Sequence, residues 1–302
     1  MLKVLLSDGS MRETVLSVFS RAGLTLPEGN DRCRTIRSPN PALLANLAWV
    51  RPQESPVYVA DGLYDLGFTG QDWVAERGVQ ERVVEAMTIP VTRGGGESVR
   101  LVLAVAEGSP IQSLADIPDS FRIATEYPNL VRLVFEKLGR HPIVEFSFGG
   151  TEGKVSIGVA DAVVDLTDSG KSLTANGLRI VGDPLFVSQT CVIANSAAWH
   201  DLARRPLIDR LLAQLQVGVT SLVAERTAKG QRLMTCNCTP SNLDAVCAAT
   251  GVTTPTVSPL GHNFGFAVQV LIPLEKLHQV REALRLAGAS KIVTSIPESV
   301  IL

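Results

Sequence analysis

One stretch of the chain, residues 158–178, constrains both the local fold and the chemistry more than any other. It reads GVADAVVDLTDSGKSLTANGL. The apolar residues 162–166 predict a buried strand, and the small polar residues 167–172 predict a turn. A short helix is expected over residues 172–176, and Gly177 is expected to end it in the left-handed conformation.

A strand, a Gly/Ser turn and a helix N-terminus together form an anion-binding arrangement, because free backbone N–H groups converge there. Ser169, Lys171 and Ser172 add two hydroxyls and a cation. Asp161 and Asp165 lie just upstream, where carboxylates can hold sugar hydroxyls or a metal ion. The pattern therefore predicts a cradle for a sugar phosphate.

The same stretch has two other interpretations, a junction that binds nothing and a nucleotide P-loop. Strand–turn–helix junctions with Ser and Gly are common in α/β proteins and most bind nothing, so the turn alone leaves that alternative open. The Gly170-Lys171-Ser172 triplet is also typical of a nucleotide P-loop. That motif needs a glycine five residues before Gly170, where this chain has Asp165, and the P-loop is excluded.

Composition limits the class of protein. A chain of 302 residues with 45% apolar residues is expected to form two or three domains with sizeable cores. The net charge of −2 gives no bulk basic field for nucleic acid or an acidic membrane surface. The N-terminal apolar run is too short for a signal peptide, which argues against a secreted binding protein, and no apolar run approaches the roughly 18–20 residues of a membrane helix.

Cysteine and histidine usage points to a reducing compartment without a structural metal. The five cysteines are scattered and odd in number: Cys33, Cys191, Cys236, Cys238 and Cys247. The four histidines form no cluster: His141, His200, His262 and His278. We therefore expect reduced thiols in a cytoplasmic protein, and no metal site built from histidine.

The remaining patterns predict two α/β lobes and a third module. Residues 93–97, Arg-Gly-Gly-Gly-Glu, predict a hinge between the lobes. A long amphipathic helix is expected over residues 199–228, with its apolar side at Leu202, Leu207, Leu211, Leu215, Val219 and Leu222. Beyond it, apolar segments alternate in the order βαββαβ, which is typical of the ferredoxin-like unit.

Several strings resemble one enzyme family. Ala-Asp-Ala-Val-Val-Asp-Leu, Asp-Ser-Gly-Lys-Ser-Leu and Ala-Asn-Gly-Leu resemble the phosphoribosyl-pyrophosphate loop of ATP phosphoribosyltransferases. Ala-Thr-Glu-Tyr-Pro-Asn-Leu-Val-Arg, residues 124–132, is a close match to the same family. Thr-Pro-Thr-Val-Ser-Pro-Leu, residues 254–260, resembles the regulatory domain of its long form, so the resemblance covers most of the chain.

The resemblance implies a fold and an activity. The expected fold is a bilobal α/β core like that of type II periplasmic binding proteins, followed by the ferredoxin-like regulatory domain. We expect residues 1–97 with 187–226 in lobe I, 98–186 in lobe II, and 227–302 in the regulatory domain. The implied reaction transfers 5-phosphoribosyl from its pyrophosphate to N1 of ATP, with Mg²⁺ on the pyrophosphate, as the first step of histidine biosynthesis.

It also implies site residues. The expected substrate-binding set is Arg51, Asp72, Tyr127, Glu152, Asp161, Asp165, Thr167, Asp168, Ser169, Gly170, Lys171, Ser172 and Leu173. No side chain is expected to act as a nucleophile. Histidine is the implied feedback effector, with a site at Asn237, Val252, Thr254, Thr256 and Leu271. The implied assembly is a homo-oligomer, a dimer or a hexamer.

Four positions depart from the family pattern. Asp8, Gln53 and Gln71 stand where relatives often carry Lys or Arg, which removes positive charge from the expected triphosphate region. Lys291 stands where a small residue is usual near the effector site. Two alternatives therefore stay open beside the main interpretation: a paralogous phosphoribosyltransferase with another acceptor, and a catalytically weak regulatory or ligand-binding paralogue.

Overall fold

A computed structural model describes residues 1–26, 35–36, 40–92, 96–261 and 264–301. The glycines at 94 and 95 of the predicted hinge, Cys33 and His262 lie outside the described residues. By its internal contacts the chain divides into two units, Met1–Val219 and Thr220–Leu302, and each is described by itself. The predicted lobe and domain boundaries stay predictions.

In the described residues of the first unit there are eleven strands, six complete helices and most of a seventh. In chain order the strands are β1 (Leu2–Ser7), β2 (Thr35–Ile36), β3 (Leu44–Val50), β4 (Leu66–Gly70), β5 (Val83–Ile89), β6 (Val99–Ala106), β7 (Arg122–Thr125), β8 (Ile143–Phe146), β9 (Ala162–Thr167), β10 (Leu178–Ser188) and β11 (Thr190–Asn195). The helices are α1 (Arg12–Arg21), α2 (Ser55–Ala60), α3 (Gln71–Glu76), α4 (Pro128–Lys137), α5 (Lys171–Ala175), α6 (Ser196–His200) and α7 (Arg205–Lys229).

These strands form two sheets. The first has the order β2-β3-β1-β4-β11-β5, with β1 parallel to β3 and β4 and with β11 antiparallel to β4 and β5. The second has the order β10-β6-β9-β7-β8, with β7 parallel to both β8 and β9. The chain passes from the first sheet to the second between β5 and β6, and returns between β10 and β11. Two α/β sheets joined by two crossings confirm the predicted bilobal fold class.

The second sheet is apolar on both faces because successive side chains of a strand point to opposite sides. On β6, Leu101, Leu103 and Val105 belong to one buried cluster, whereas Val102 and Ala104 belong to another. The near-continuous apolar sequence of this strand is therefore explained by burial on both faces.

The helix predicted over residues 199–228 is two helices. Asp201 breaks it, because its carboxylate accepts hydrogen bonds from the N–H groups of Ala203 and Arg204 at 2.8 and 3.1 Å before α7 begins. Leu202, predicted on the apolar side, lies between the helices and is 92% exposed.

By length and composition alone α7 is apolar enough to cross a membrane. Its residues Ile208, Leu211, Leu215 and Val219 are buried in the structure, however. The helix also lies against α1 so closely that a Cβ on Gly218 would collide with the carbonyl oxygen of Val18. In the first unit α7 therefore packs as a core helix.

The second unit has the predicted order βαββαβ. Its elements are β12 (Gln231–Cys238), α8 (Leu243–Ala249), β13 (Thr256–Pro259), β14 (Phe266–Pro273), α9 (Leu277–Leu286) and β15 (Ser290–Ser295). The sheet order is β13-β14-β12-β15, and every neighbouring pair is antiparallel. Alternate residues of β12 and β14 form the core with α8 and α9: Met234, Cys236, Cys238, Val268, Val270 and Ile272, packed with Val246, Val280 and Leu284.

Candidate functional site

A cavity of about 520 Å³ in the first unit is lined by residues from both sheets. Residues 8–11 follow β1, residues 51–53 follow β3, and Gly70, Asp72 and Trp73 lie at the junction of β4 and α3. From the second sheet come Glu126 and Tyr127 after β7, and Asp165 and Leu166 at the end of β9. The cavity therefore lies at the carboxyl ends of parallel strands, where open α/β sheets bind their ligands.

The predicted sugar-phosphate cradle forms a loop at the end of β9. The backbone N–H of Gly170 donates to Thr167 Oγ1 at 2.8 Å, and Gly170 takes the left-handed conformation at φ 75°. Helix α5 follows from Lys171, one residue earlier than predicted, and Gly177 has φ 69°, as predicted. Because α5 has only five residues, its dipole is small.

Two of the predicted ligands contact each other. The Ser172 hydroxyl donates to Glu152 Oε1 at 3.0 Å, and both side chains remain accessible to solvent. Glu152 lies in a short 3-10 turn after Gly150, which has φ 57°. A phosphate that uses the Ser172 hydroxyl must therefore replace the carboxylate of Glu152.

Three carboxyl groups lie around the end of β9. Burial raises the pKa of Asp165 to about 6, and the charges of Glu152 and Glu126 add to the rise, while the N–H of Leu166 opposes it. Burial and Glu152 likewise raise the pKa of Glu126. Glu126 was not among the predicted site residues, although it lies in the Ala-Thr-Glu-Tyr-Pro-Asn string and directly follows a parallel strand.

The side chains of Asp72 and Tyr127 are hydrogen-bonded to each other. The Tyr127 hydroxyl donates to Asp72 Oδ2 at 2.8 Å, and Ser188 donates to the other carboxylate oxygen while it accepts from the Asp72 N–H at 3.1 Å. Burial raises the pKa of Asp72 even so. The Tyr127 ring packs on Trp73 with centroids 4.4 Å apart. Both predicted residues line the cavity, but their polar groups are hydrogen-bonded to the protein.

Asp161 is placed differently from the prediction. It precedes β9, at the opposite end of the strand from the cradle, so about 20 Å of strand separates it from Thr167. Arg122 holds its carboxylate through an ion pair of 3.2 Å and a backbone hydrogen bond of 2.9 Å. These bonds lower the pKa of Asp161. These contacts join the start of β9 to β7, and the assignment of a sugar or metal to Asp161 stays a prediction.

Asp168 also has a protein partner. Its carboxylate accepts a hydrogen bond of 2.8 Å from Thr92 Oγ1, in the segment that leaves the first sheet. Ser169 and Lys171 of the predicted set are exposed at the cradle, and Leu173 is buried beneath it.

The first-sheet side of the cavity has a mixed charge. Asp8 pairs with Arg12 at 3.1 Å, and the Arg12 guanidinium lies 4.5 Å from the Trp49 ring centroid. Arg51 lines the cavity. Gln71 is held away by Glu85, to which its amide donates at 2.9 Å. Arg12 therefore supplies a cation beside Asp8.

Three of the five predicted effector residues share the sheet face opposite α8 and α9. On β12 and β14, Asn237 and Leu271 alternate with the core residues. Thr256 on β13 pairs with Gln269, which also alternates with core residues of β14. Val252 packs partly against the core, and Thr254 lies in the turn before β13. Lys291 has φ 49°, a left-handed conformation that costs a non-glycine residue energy. The small residue expected there is explained by this backbone conformation.

A two-lobed α/β core whose cavity brings together a Gly/Ser turn, carboxylates and aromatic rings is the arrangement expected of a transferase that acts on sugar phosphates and nucleotides. The family model for ATP phosphoribosyltransferase matches residues 51–217, and the model for the C-terminal domain of HisG matches residues 228–296.

Similar proteins and solved structures agree with these family-model matches. The chain is 34% identical over 304 residues to an ATP phosphoribosyltransferase of Nitratidesulfovibrio vulgaris strain Miyazaki F, covering 97% of this chain and 96% of the relative. It is 35% identical to that of Chlorobium phaeovibrioides, covering 96% and 94%. A chain of the ATP phosphoribosyl transferase (HisG:HisZ) complex from Thermotoga maritima superposes with a TM-score of 0.61 at 26% identity, over 72% of this chain and 98% of that one. The chain belongs to the ATP phosphoribosyltransferase family, whose reaction is the first step of histidine biosynthesis.

Proposed function

We propose that this protein transfers the 5-phosphoribosyl group of phosphoribosyl pyrophosphate to N1 of ATP and releases pyrophosphate. The observation that supports the proposal is a single cavity lined on one side by the end of β9, which leads into the Gly170 turn, and on the other by residues 8–11 and by Arg51. The first side suits a sugar phosphate, and the second suits a nucleotide.

The cradle binds the 5′-phosphate in this mechanism. Backbone N–H groups of the turn, the hydroxyls of Ser169 and Ser172, and the ammonium of Lys171 surround the anion. Binding releases Ser172 from Glu152, and the freed carboxylate then repels the phosphate unless it turns away. Asp165, ionised above pH 6, accepts hydrogen bonds from the ribose hydroxyls.

The chemistry needs no protein nucleophile. As the bond to pyrophosphate breaks, positive charge develops on the ribose, and Asp165 and Glu126 are the carboxylates that line the cavity there. Negative charge fixed beside a developing cation stabilises the transition state more than the ground state. The protein otherwise holds N1 of the acceptor in line with the leaving group.

Mg²⁺ fits this site as an ion carried by the substrate. In the described ranges no three His, Cys, Asp or Glu side chains form a metal-binding group. Mg²⁺ is commonly held by one or two carboxylates together with substrate phosphates, and Glu126 and Asp165 would supply those carboxylates. When bound, the ion neutralises the charge of the departing pyrophosphate.

The finer biological assignments are part of the proposal. Histidine is proposed as the feedback effector, supported by the match of the second unit to the C-terminal domain model. A homo-oligomer is proposed because the effector face of β12–β14 is an uncovered sheet face of the second unit. A cytoplasmic location is supported by the free thiols of Cys191, Cys236, Cys238 and Cys247.

The test is formation of phosphoribosyl-ATP by purified protein from the two substrates with Mg²⁺, with phosphoribosyl-pyrophosphate affinity measured by calorimetry. Ser172→Ala is expected to weaken that affinity about tenfold, because a hydrogen bond to a charged group contributes roughly 1.5–3 kcal/mol. Ser20→Ala, an exposed serine of α1, is the matched control. Unchanged affinity in Ser172→Ala would reject the cradle, and no product from the wild type would reject the reaction.

A second candidate, transfer to a less anionic acceptor, is favoured by the charge of the cavity. Among the described residues that line it, Asp8, Asp72, Glu126 and Asp165 are acidic and Arg51 is the one cation. Binding of ATP, AMP and adenosine in Mg²⁺ separates the two candidates. ATP binding at least as tightly as AMP, with turnover, supports the ATP enzyme, whereas clear preference for AMP or adenosine supports the paralogue.

A further inference from the structure

Asp168 belongs to the cradle by sequence, but its carboxylate contacts another part of the chain. Thr92 Oγ1 donates to Asp168 Oδ2 at 2.8 Å. Thr92 is 8% exposed, follows β5 and stands where the chain leaves the first sheet for the second. The hydrogen bond therefore fastens the cradle to the crossing between the sheets.

The surrounding packing holds the same carboxylate from a second direction. A Cβ on Gly96 would lie 2.8 Å from Asp168 Oδ1, so a side chain at position 96 would displace the carboxylate. The Thr92 N–H donates to the Gly96 carbonyl at 2.8 Å and keeps the two ends of the crossing together. Arg100 Nη2 lies 3.4 Å from the Asp168 carbonyl oxygen.

These contacts fix the turn that follows. Asp168 lies between Thr167, whose hydroxyl accepts from the Gly170 N–H, and Ser169. A turn binds an anion well only when its N–H groups already point at one place, because ordering them on binding costs affinity. A tether at Asp168 supplies that order.

We propose that Thr92 is a positioning residue for phosphoribosyl pyrophosphate, acting through Asp168 on the phosphate-binding turn. The role rests on the proposed function. It differs from the role implied by the family resemblance, in which Asp168 itself touches the substrate, because here Thr92, which also lines the cavity, acts by holding Asp168 in place.

The experiment compares Thr92→Val, which removes the hydroxyl at constant size, with Thr92→Ser, which keeps it. Thr92→Val is expected to weaken phosphoribosyl-pyrophosphate binding about tenfold, the loss typical of a hydrogen bond to a carboxylate. Thr92→Ser is expected to stay within about twofold of the wild type, and ATP affinity is expected to be unchanged in both. Thr88→Val is the control, because the Thr88 hydroxyl donates to Glu85, an exposed residue of β5.

A double-mutant cycle with Asp168→Ala tests the route of the effect. Under the proposal, Thr92→Val causes no further loss in the Asp168→Ala background, whereas multiplying effects would overturn it. Gly96→Ala provides a second perturbation of the same carboxylate, with the same expected selective loss, should Thr92→Val fold poorly.

The outcomes separate the two proposals. Wild-type protein that binds no phosphoribosyl pyrophosphate refutes the proposed function and, with it, this role. Wild-type binding combined with unchanged affinity in Thr92→Val and Gly96→Ala overturns the positioning role alone. Equal losses for phosphoribosyl pyrophosphate and ATP also overturn it, because they indicate a general structural effect.

Discussion

At the scale of single residues, Asp165 shows a conflict between stability and binding. Burial raises its pKa to about 6 from the ordinary 3.8, so the folded state holds the proton more tightly than the unfolded chain does. The stability that this group contributes is complete below about pH 4 and is lost as the pH rises through about 6. At neutral pH the folded protein therefore carries an unfavourable charge on Asp165. In the proposed complex, the ribose hydroxyls would donate hydrogen bonds to this carboxylate.

Asp165→Asn is expected to raise the free energy of unfolding at pH 7.5 by at most about 3 kcal/mol, and by less because water reaches part of the group. At pH 4 the variant and the wild type are expected to be equally stable. Urea unfolding between pH 4 and 7.5 measures the difference, with exposed Asp183→Asn as the control. Phosphoribosyl-pyrophosphate affinity is expected to fall at least about tenfold. A variant less stable than the wild type at pH 7.5 would contradict the assignment.

The same scale shows what the sequence could predict. The turn at residues 167–172 and the left-handed Gly177 follow from local chemistry, and both were predictable. The partners of Asp161 and Asp72 were not, because Arg122 and Ser188 lie 39 and 116 residues away along the chain. A carboxylate beside a predicted site looks the same in sequence whether it binds a ligand or an arginine, and only the fold separates the two.

At the scale of elements, α3 joins the two sheets of the first unit. Its Trp73 lies in the core cluster of the second sheet, with Leu103 and Phe135. Its Glu76 carboxylate accepts the N–H groups of Asn129 and Leu130 at 3.1 and 2.9 Å, and so caps α4. The Asn129 amide donates to the Glu76 carbonyl at 3.1 Å. Because a cap supplied from a distant helix leaves no local sequence pattern, this one could not be predicted from the sequence.

Glu76→Ala is expected to lower the free energy of unfolding by about 1–2 kcal/mol, because it leaves two N–H groups at the start of α4 without their acceptor. Glu76→Gln retains one acceptor oxygen and is expected to lose about half as much. Thermal and urea unfolding at pH 7.5 measure both, and Glu81→Ala at an exposed position is the control. A Glu76→Ala variant as stable as that control would show that the cap contributes nothing.

At the scale of the whole molecule, the substrate cavity and the predicted effector residues belong to different units. Every residue that lines the cavity lies between Asp8 and Thr190, in the first unit. The effector residues lie between Asn237 and Leu271, in the second. The Thermotoga maritima chain aligns over 98% of its length with 72% of this one. The order of the second unit was predictable because each of its elements is short and strongly patterned.

Removal of residues 227–302 is therefore expected to leave phosphoribosyl-pyrophosphate and ATP binding within about threefold of the full chain and to abolish inhibition by histidine. Initial rates with and without histidine measure both effects. A folded, active truncation that histidine still inhibits would place the effector site in the first unit.

Because the cut falls inside α7 and can cause aggregation, the full-length variant Thr256→Val tests the same site independently. It is expected to weaken histidine inhibition about fivefold while activity is retained, since one hydroxyl hydrogen bond contributes roughly 1 kcal/mol. The control is Thr294→Val on β15, at an exposed position outside the predicted effector set. Equal responses of the two variants would contradict the predicted effector site.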